Sequence, residues 1–273
     1  MDRTELNTDS EKRGKLLFIA GIISLAIFLT KVLQGQAEVP LWRVYVDGGV
    51  YVIITFIGLL WAFNFQVKAK SFLYILQSAL FVLSVVIFVE IFFFQKFSRI
   101  YEAFILLLIL VVIFIGIYVS FLMANVFNVN LFKKLPLVQV GRTSSYLLSL
   151  LMIYFFTFGF LYSEFPIYIL IPLIAAIYFV IIFIHYMNMG IEEGDLWRKS
   201  LITLVLTSIL FLGVFLSGNT HEITAIAPAL GYYFGVSMVT QEQIFRRNSV
   251  SLTFSMILLS VVYFVVIFLN VIS

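Results

Sequence analysis

From Phe104 to Ala124 the chain reads FILLLILVVIFIGIYVSFLMA, without a single charge. Runs of this kind, about 20 residues long, recur along the whole sequence, and that length is what a helix needs to cross about 30 Å of hydrocarbon. Inside hydrocarbon every backbone N–H and C=O must be paired internally, which leaves helices or a closed barrel. Barrel strands read as alternating segments of about 10 residues, and no such alternation runs through this chain. The expected fold is therefore all-α, a polytopic bundle of transmembrane helices. Composition agrees. The chain is 63% hydrophobic and 11% charged, with a mean hydropathy of +1.12. A soluble domain carries about 25% charged residues.

Nine apolar runs are predicted helices, roughly 16–33, 44–65, 72–94, 103–127, 143–162, 166–187, 200–217, 223–240 and 250–271. The eighth holds Pro228, Gly231 and Gly235 and is only moderately apolar. Eight spans remain the alternative count. Residues 1–15, MDRTELNTDSEKRGK, are polar and mixed in charge, and are expected to form a mobile cytoplasmic tail ahead of one helical domain over 16–273. The first apolar run is longer than the apolar region of a typical signal peptide, so it is expected to stay as a helix.

Basic residues set the orientation. With nine spans and the N-terminus inside, the inner side holds Arg3, Lys12, Arg13, Lys15, Lys68, Lys70, Lys133, Lys134, Arg142, Arg198, Lys199, Arg246 and Arg247. The outer side holds only Lys31, Arg43, Lys96 and Arg99. Inner loops carry the excess of Lys and Arg in multi-pass proteins, so the N-terminus is predicted to be cytoplasmic. Without a spanning eighth segment, Arg246 and Arg247 would move outside and weaken the bias. The expected location is a cell membrane, of the bacterial cytoplasmic kind, and the expected partners are the lipid bilayer and other membrane proteins or a second copy of the chain. The net charge of +3 is spread over short loops and implies no nucleic-acid surface.

An ionisable residue inside the membrane is a functional hypothesis by default. Asp47, in RVYVDGGVY, and Glu90, in FVEIFFF, fit that description near the outer face, and they are the candidates for a transport or proton-relay role. Arg43 and Asp47 are spaced to pair on one helix, and Lys96 lies close to Glu90 in sequence. A relay also needs a polar path inward, for which Gln77, Asn64 and Asn125 are the main candidates. The plain alternative is that these charges pair or snorkel to water. Bundle-facing positions for Asp47, Glu90 and Ser149 would favour transport, and lipid- or water-facing positions would favour a structural role.

The second candidate region is NVFNVNLFKKLPLVQVGRTSSYLL, Asn125 to Leu148. Its polar residues fit a helix end near 128–130, a short apolar link, and a helix start capped by Thr143 or Ser144. Lys133, Lys134 and Arg142, set against a helix N-terminus, would also suit an anionic headgroup. The segment ANVFNVNLFKKLPLVQVGRTSSYLL, residues 124–148, resembles an uncharacterised family of bacterial polytopic membrane proteins. The shared features are an Asn-x-Phe-Asn-Val helix end, Pro-Leu, and Arg-Thr opening the next helix. The resemblance implies the same polytopic fold and carries no activity.

Catalytic signatures are thin. The chain has no cysteine, which removes thiol nucleophiles, thiolate metal sites and disulfides. There is no HExxH and no Gly-x-Ser-x-Gly. His185 and His221 are expected at opposite faces, about 30 Å apart, too far to share a metal or haem. No lysine is expected mid-helix, which removes a retinal Schiff base. The acidic Glu192–Asp195 cluster reads as a solvated turn ahead of a helix. No catalytic residue, metal or cofactor is expected. The expected role is a non-enzymatic scaffold, assembly factor or partner subunit. The alternative is a small transporter or lipid-handling protein working through Asp47 and Glu90 or through the Lys133, Lys134 and Arg142 loop.

Overall fold

The computed structural model describes residues 3–34, 40–67, 69–92, 100–128, 135–163 and 165–244. These form eight helices: α1 (Arg3–Gln34), α2 (Leu41–Ala62), α3 (Ala69–Phe92), α4 (Ile100–Asn128), α5 (Leu135–Tyr162), α6 (Ile167–Met189), α7 (Glu193–Leu216) and α8 (His221–Ile244). Among the described residues there is no strand. Helices α1 to α7 are each long and apolar enough to cross a membrane. The protein is an all-α, multi-pass helical membrane protein. The ninth apolar run, 250–271, lies outside the described residues.

Three helix starts differ by more than a turn from the sequence expectation, and one of them is α7, which opens at Glu193 rather than near 200. Helix α1 begins at Arg3, so the backbone of the polar N-terminal stretch is helical. Helix α5 begins at Leu135 and takes in LPLVQV together with Gly141, Arg142, Thr143 and Ser144. Pro136 falls in the first turn, where a missing N–H costs nothing. The Thr143 hydroxyl does not cap the helix. It donates back to the Gln139 carbonyl, one turn earlier, at 3.1 Å.

The chain divides into two compact units, Met1–Met152 and Ile153–Ser273, with the boundary inside α5. In the first unit, α1 packs on α2, α2 on α3, α3 on α4, and α4 back on α1, a closed ring of four helices. Its interior is lined by Leu16, Ala20, Ile23 and Ile27 of α1 at helical spacing, with Leu59, Val82, Val86 and Phe121 from the other members. The outer stripe of α2, Trp42, Val46, Val50, Ile53, Ile57 and Trp61, is exposed and apolar, as a lipid-facing surface requires. At the end of the ring where α2 closes, Lys15 lies over the Trp61 ring at 5.2 Å and donates to Asn64 Oδ1 at 3.1 Å. The Asn128 amide reaches the Gln66 carbonyl at 3.4 Å, which ties the end of α4 to the turn after α2.

In the second unit, α6 packs on α7 and α7 on α8. The last two approach closely because α8 presents glycines. A Cβ on Gly231 would stand 2.8 Å from the Thr207 Cα, and one on Gly235 would stand 3.0 Å from the Thr203 Cα. Spaced four apart, Gly231 and Gly235 form the small-residue stripe that lets membrane helices bring their backbones together. Gly190, at φ 77°, ends α6 in the left-handed conformation that glycine adopts freely.

Candidate functional site

Trp42 and Trp61 stand at the two ends of α2, about 29 Å apart by axial rise, close to the hydrocarbon thickness of a bilayer. They mark two boundaries against which depth is measured. On α1, Lys15 lies level with Trp61. Lys31 is about 24 Å further along, still short of the opposite boundary.

Lys31 turns into the helix ring. Its ammonium donates to Glu90 Oε2 at 3.1 Å and to the Glu90 main-chain carbonyl at 3.2 Å. The two side chains are 11% and 5% exposed. The pair joins α1 to α3, opposite members of the ring, so it crosses the interior. Next to Lys31, the Thr30 hydroxyl donates to the Ala26 carbonyl at 2.7 Å and lies 2.8 Å from the Tyr51 hydroxyl of α2. Thr30 has one proton, and it is already given to Ala26, so Tyr51 is the donor in the second bond. The phenolic oxygen keeps its lone pairs for the site.

Tyr51 is within electrostatic reach of both Glu90 and Asp47. Asp47, one turn before Tyr51 on α2, is partly exposed and pairs with Arg43 at 3.7 Å. One turn after Tyr51, the Thr55 hydroxyl is fully buried without a hydrogen-bond partner among the described residues. Asp47, Tyr51 and Thr55 thus form a polar stripe running inward along α2. At the next turn Leu59 is buried and apolar, and the stripe ends.

The structure therefore brings Asp47 and Glu90 into one neighbourhood and adds Lys31, Thr30, Tyr51 and Thr55, which periodicity had not singled out. The nearest sequence neighbour proposed for Glu90, Lys96, lies outside the described residues, as does Arg99. Of the inward path, Gln77 is buried and donates to Ser145 and Ser149 of α5, both at 3.3 Å. Asn64 lies instead at the far end of α2 from Asp47, on Lys15. Ser78 donates to the Ser120 carbonyl of α4 at 3.0 Å.

Lys133 and Lys134 lie outside the described residues. Arg142 is exposed, and it sits two turns inside α5 rather than at the helix N-terminus. In the second unit His185 is fully buried, its ring 5.6 Å from those of Tyr186 and Tyr232. His221 opens α8 against Tyr162, ring centroids 4.9 Å apart. From His221 to Tyr232 is about 17 Å of axial rise, less than a membrane's thickness and still too far for one metal. Glu193 and Asp195 occupy the first turn of α7, and no metal-holding group of acids and histidines occurs among the described residues. Lys199, expected in a loop, is on the second turn of α7 and buried, 3.5 Å from the half-exposed Asp195.

Compared with known proteins, the chain matches no family model, no curated protein and no solved structure.

Proposed function

We propose that this multi-pass membrane protein is a small transporter whose coupling site is the Lys31–Glu90 pair with Tyr51 and Asp47 beside it. The observation that carries the reading is the burial of a full charge pair that spans a helix ring lined mostly by apolar side chains. A buried ion pair is poor glue, since apolar side chains of similar size hold a bundle equally well or better. Inside a membrane, ionisable residues facing the bundle mark ion and substrate pathways. Glu90 and Ser149 both face the interior, and Asp47 connects the cluster to the outer boundary. The polar stripe reaches inward only as far as Thr55, which suits a site open from one side at a time.

The test is charge displacement. Purified protein in liposomes on a solid-supported membrane is expected to give a transient current on a proton or Na⁺ concentration jump, and Glu90→Gln is expected to abolish it. A second reading, as a scaffold or partner subunit, draws support from the neutral polar groups that bond within the first unit, such as Gln77 with Ser145 and Ser149. No current in either jump, together with another membrane protein bound at fixed stoichiometry in native mass spectrometry, would return the chain to that reading.

A further inference from the structure

We infer that Lys31 is a tethered stand-in for the transported ion: its ammonium occupies an oxygen site at Glu90 that a small monovalent cation takes when Lys31 swings out. The inference rests on the transport reading above and names its substrate class.

Three observations support it. First, the ammonium is held by oxygens of two kinds, the Glu90 carboxylate and the Glu90 main-chain carbonyl. Carboxylates and carbonyls are also the ligands that hard cations take. Second, a further oxygen stands by. The Tyr51 hydroxyl, bonded to the residue next to Lys31, has its proton committed to Thr30 and so presents lone pairs. Third, Lys31 is in the last turn of α1. Its four-carbon stem can carry the charge out past the helix end to the outer boundary, as long basic side chains near membrane surfaces do. One buried carboxylate balances one positive charge, which fits a monovalent ion. Asp47 is engaged by Arg43 and stands nearer to water.

An exchange of this kind is alternate occupancy. With Lys31 on Glu90 the site is closed and neutral. With a cation on Glu90 the site is again neutral, and Lys31 lies in the interface. The site never holds both charges, and Glu90 is never left bare in the apolar ring.

The experiment reads Lys31 in the wild-type protein. The chain, in lipid nanodiscs, is treated with a membrane-impermeant amine acetylating reagent in Na⁺ or in choline at equal ionic strength. Modification is then quantified residue by residue by peptide mass spectrometry. Labelling of Lys31 is expected to rise several-fold in Na⁺, with Lys15 unchanged as internal control. In Glu90→Gln, Lys31 is expected to label strongly in both salts. Thermal unfolding of Lys31→Ala gives a second measurement, with a midpoint that climbs with Na⁺ and not with choline. Equal Lys31 labelling in both salts, or a Lys31→Ala midpoint indifferent to Na⁺, overturns the exchange. If Glu90-dependent currents persist in that case, the transport reading stands without it. Na⁺-dependent labelling in a protein that passes no current keeps the cation site and overturns transport.

Discussion

The two units hold their helices together by different means. In the first, α1 and α3 are joined by a charge pair, Lys31 with Glu90, from positions 59 residues apart in sequence. In the second, the buried joints between helices seen among the described residues are neutral. Tyr178 bonds to Thr157, Tyr186 bonds to Thr203, and Gly231 and Gly235 let α8 lie directly against α7. Its buried cation, Lys199, pairs along its own helix with Asp195, a carboxylate half open to water. Neutral bonds and close backbone contact are sufficient to assemble helices in lipid. Against that standard the charge pair of the first unit exceeds what assembly needs, and this excess is the reason to look there for function.

The comparison breaks most sharply at Lys31. Replacing it by Met leaves Glu90 buried without its cation, and loss of one partner of a buried pair costs about 3–5 kcal/mol. Replacing both, Lys31→Met with Glu90→Met, is expected to restore stability to about the wild-type level while the current stays absent. Unfolding midpoints in detergent, measured on the two single variants and the double, give the coupling directly. A double variant as unstable as the singles would mean that the pair is structural glue after all, and the contrast between the units would lose its meaning.

The second unit is expected to fail through packing instead. Gly231→Val places its Cβ against the Thr207 Cα, where no flexible side chain can give way. Overpacking of this kind costs about 1–3 kcal/mol. The loss should appear as an earlier unfolding transition with the Lys31–Glu90 currents unchanged below it. A smaller effect is expected for Tyr178→Phe, which removes one neutral hydrogen bond to Thr157. Such bonds between membrane helices average about 0.6 kcal/mol and reach about 1.7. A cost above that range would show that the neutral network of the second unit carries more than packing.

Much of the fold was legible because the bilayer imposes length and apolarity on every span. The predicted runs 44–65, 72–94 and 166–187 overlap α2, α3 and α6 to within a few residues at each end. The start of α5 was misread because Gly141-Arg142-Thr143-Ser144 has the composition of a helix start. That reading needs Thr143 to bond forward to a free N–H, and here it bonds back to Gln139. In the site, Arg43 and Asp47 were legible since helical spacing alone brings them together. The partner of Glu90 was not. Lys31 meets it only because α1 closes the ring opposite α3, and no local period encodes that. Tyr51 and Thr55 were hidden for the opposite reason, sitting inside an ordinary apolar run where one hydroxyl per turn leaves the hydropathy unchanged.

The smallest expected effect lies at the mouth of the second unit, where a charge meets water. Glu222, at the start of α8, accepts a 2.6 Å hydrogen bond from the Tyr162 hydroxyl. That bond, with help from its own backbone N–H, holds the carboxyl below the ordinary glutamate value of 4.5. A lowered folded value means that the ionised form is favoured by folding. Its contribution is therefore present above pH 4.5 and is lost as the pH falls through the folded value. Both side chains are exposed, so solvent screens the gain. The unfolding midpoint of the wild type should exceed that of Glu222→Gln slightly at neutral pH, and the gap should close below pH 4.5. A gap that widens on acidification would mean that Glu222 is protonated in the folded protein. The second unit would then hold a titrating carboxyl of its own, and the assignment of charge chemistry to the first unit alone would fail.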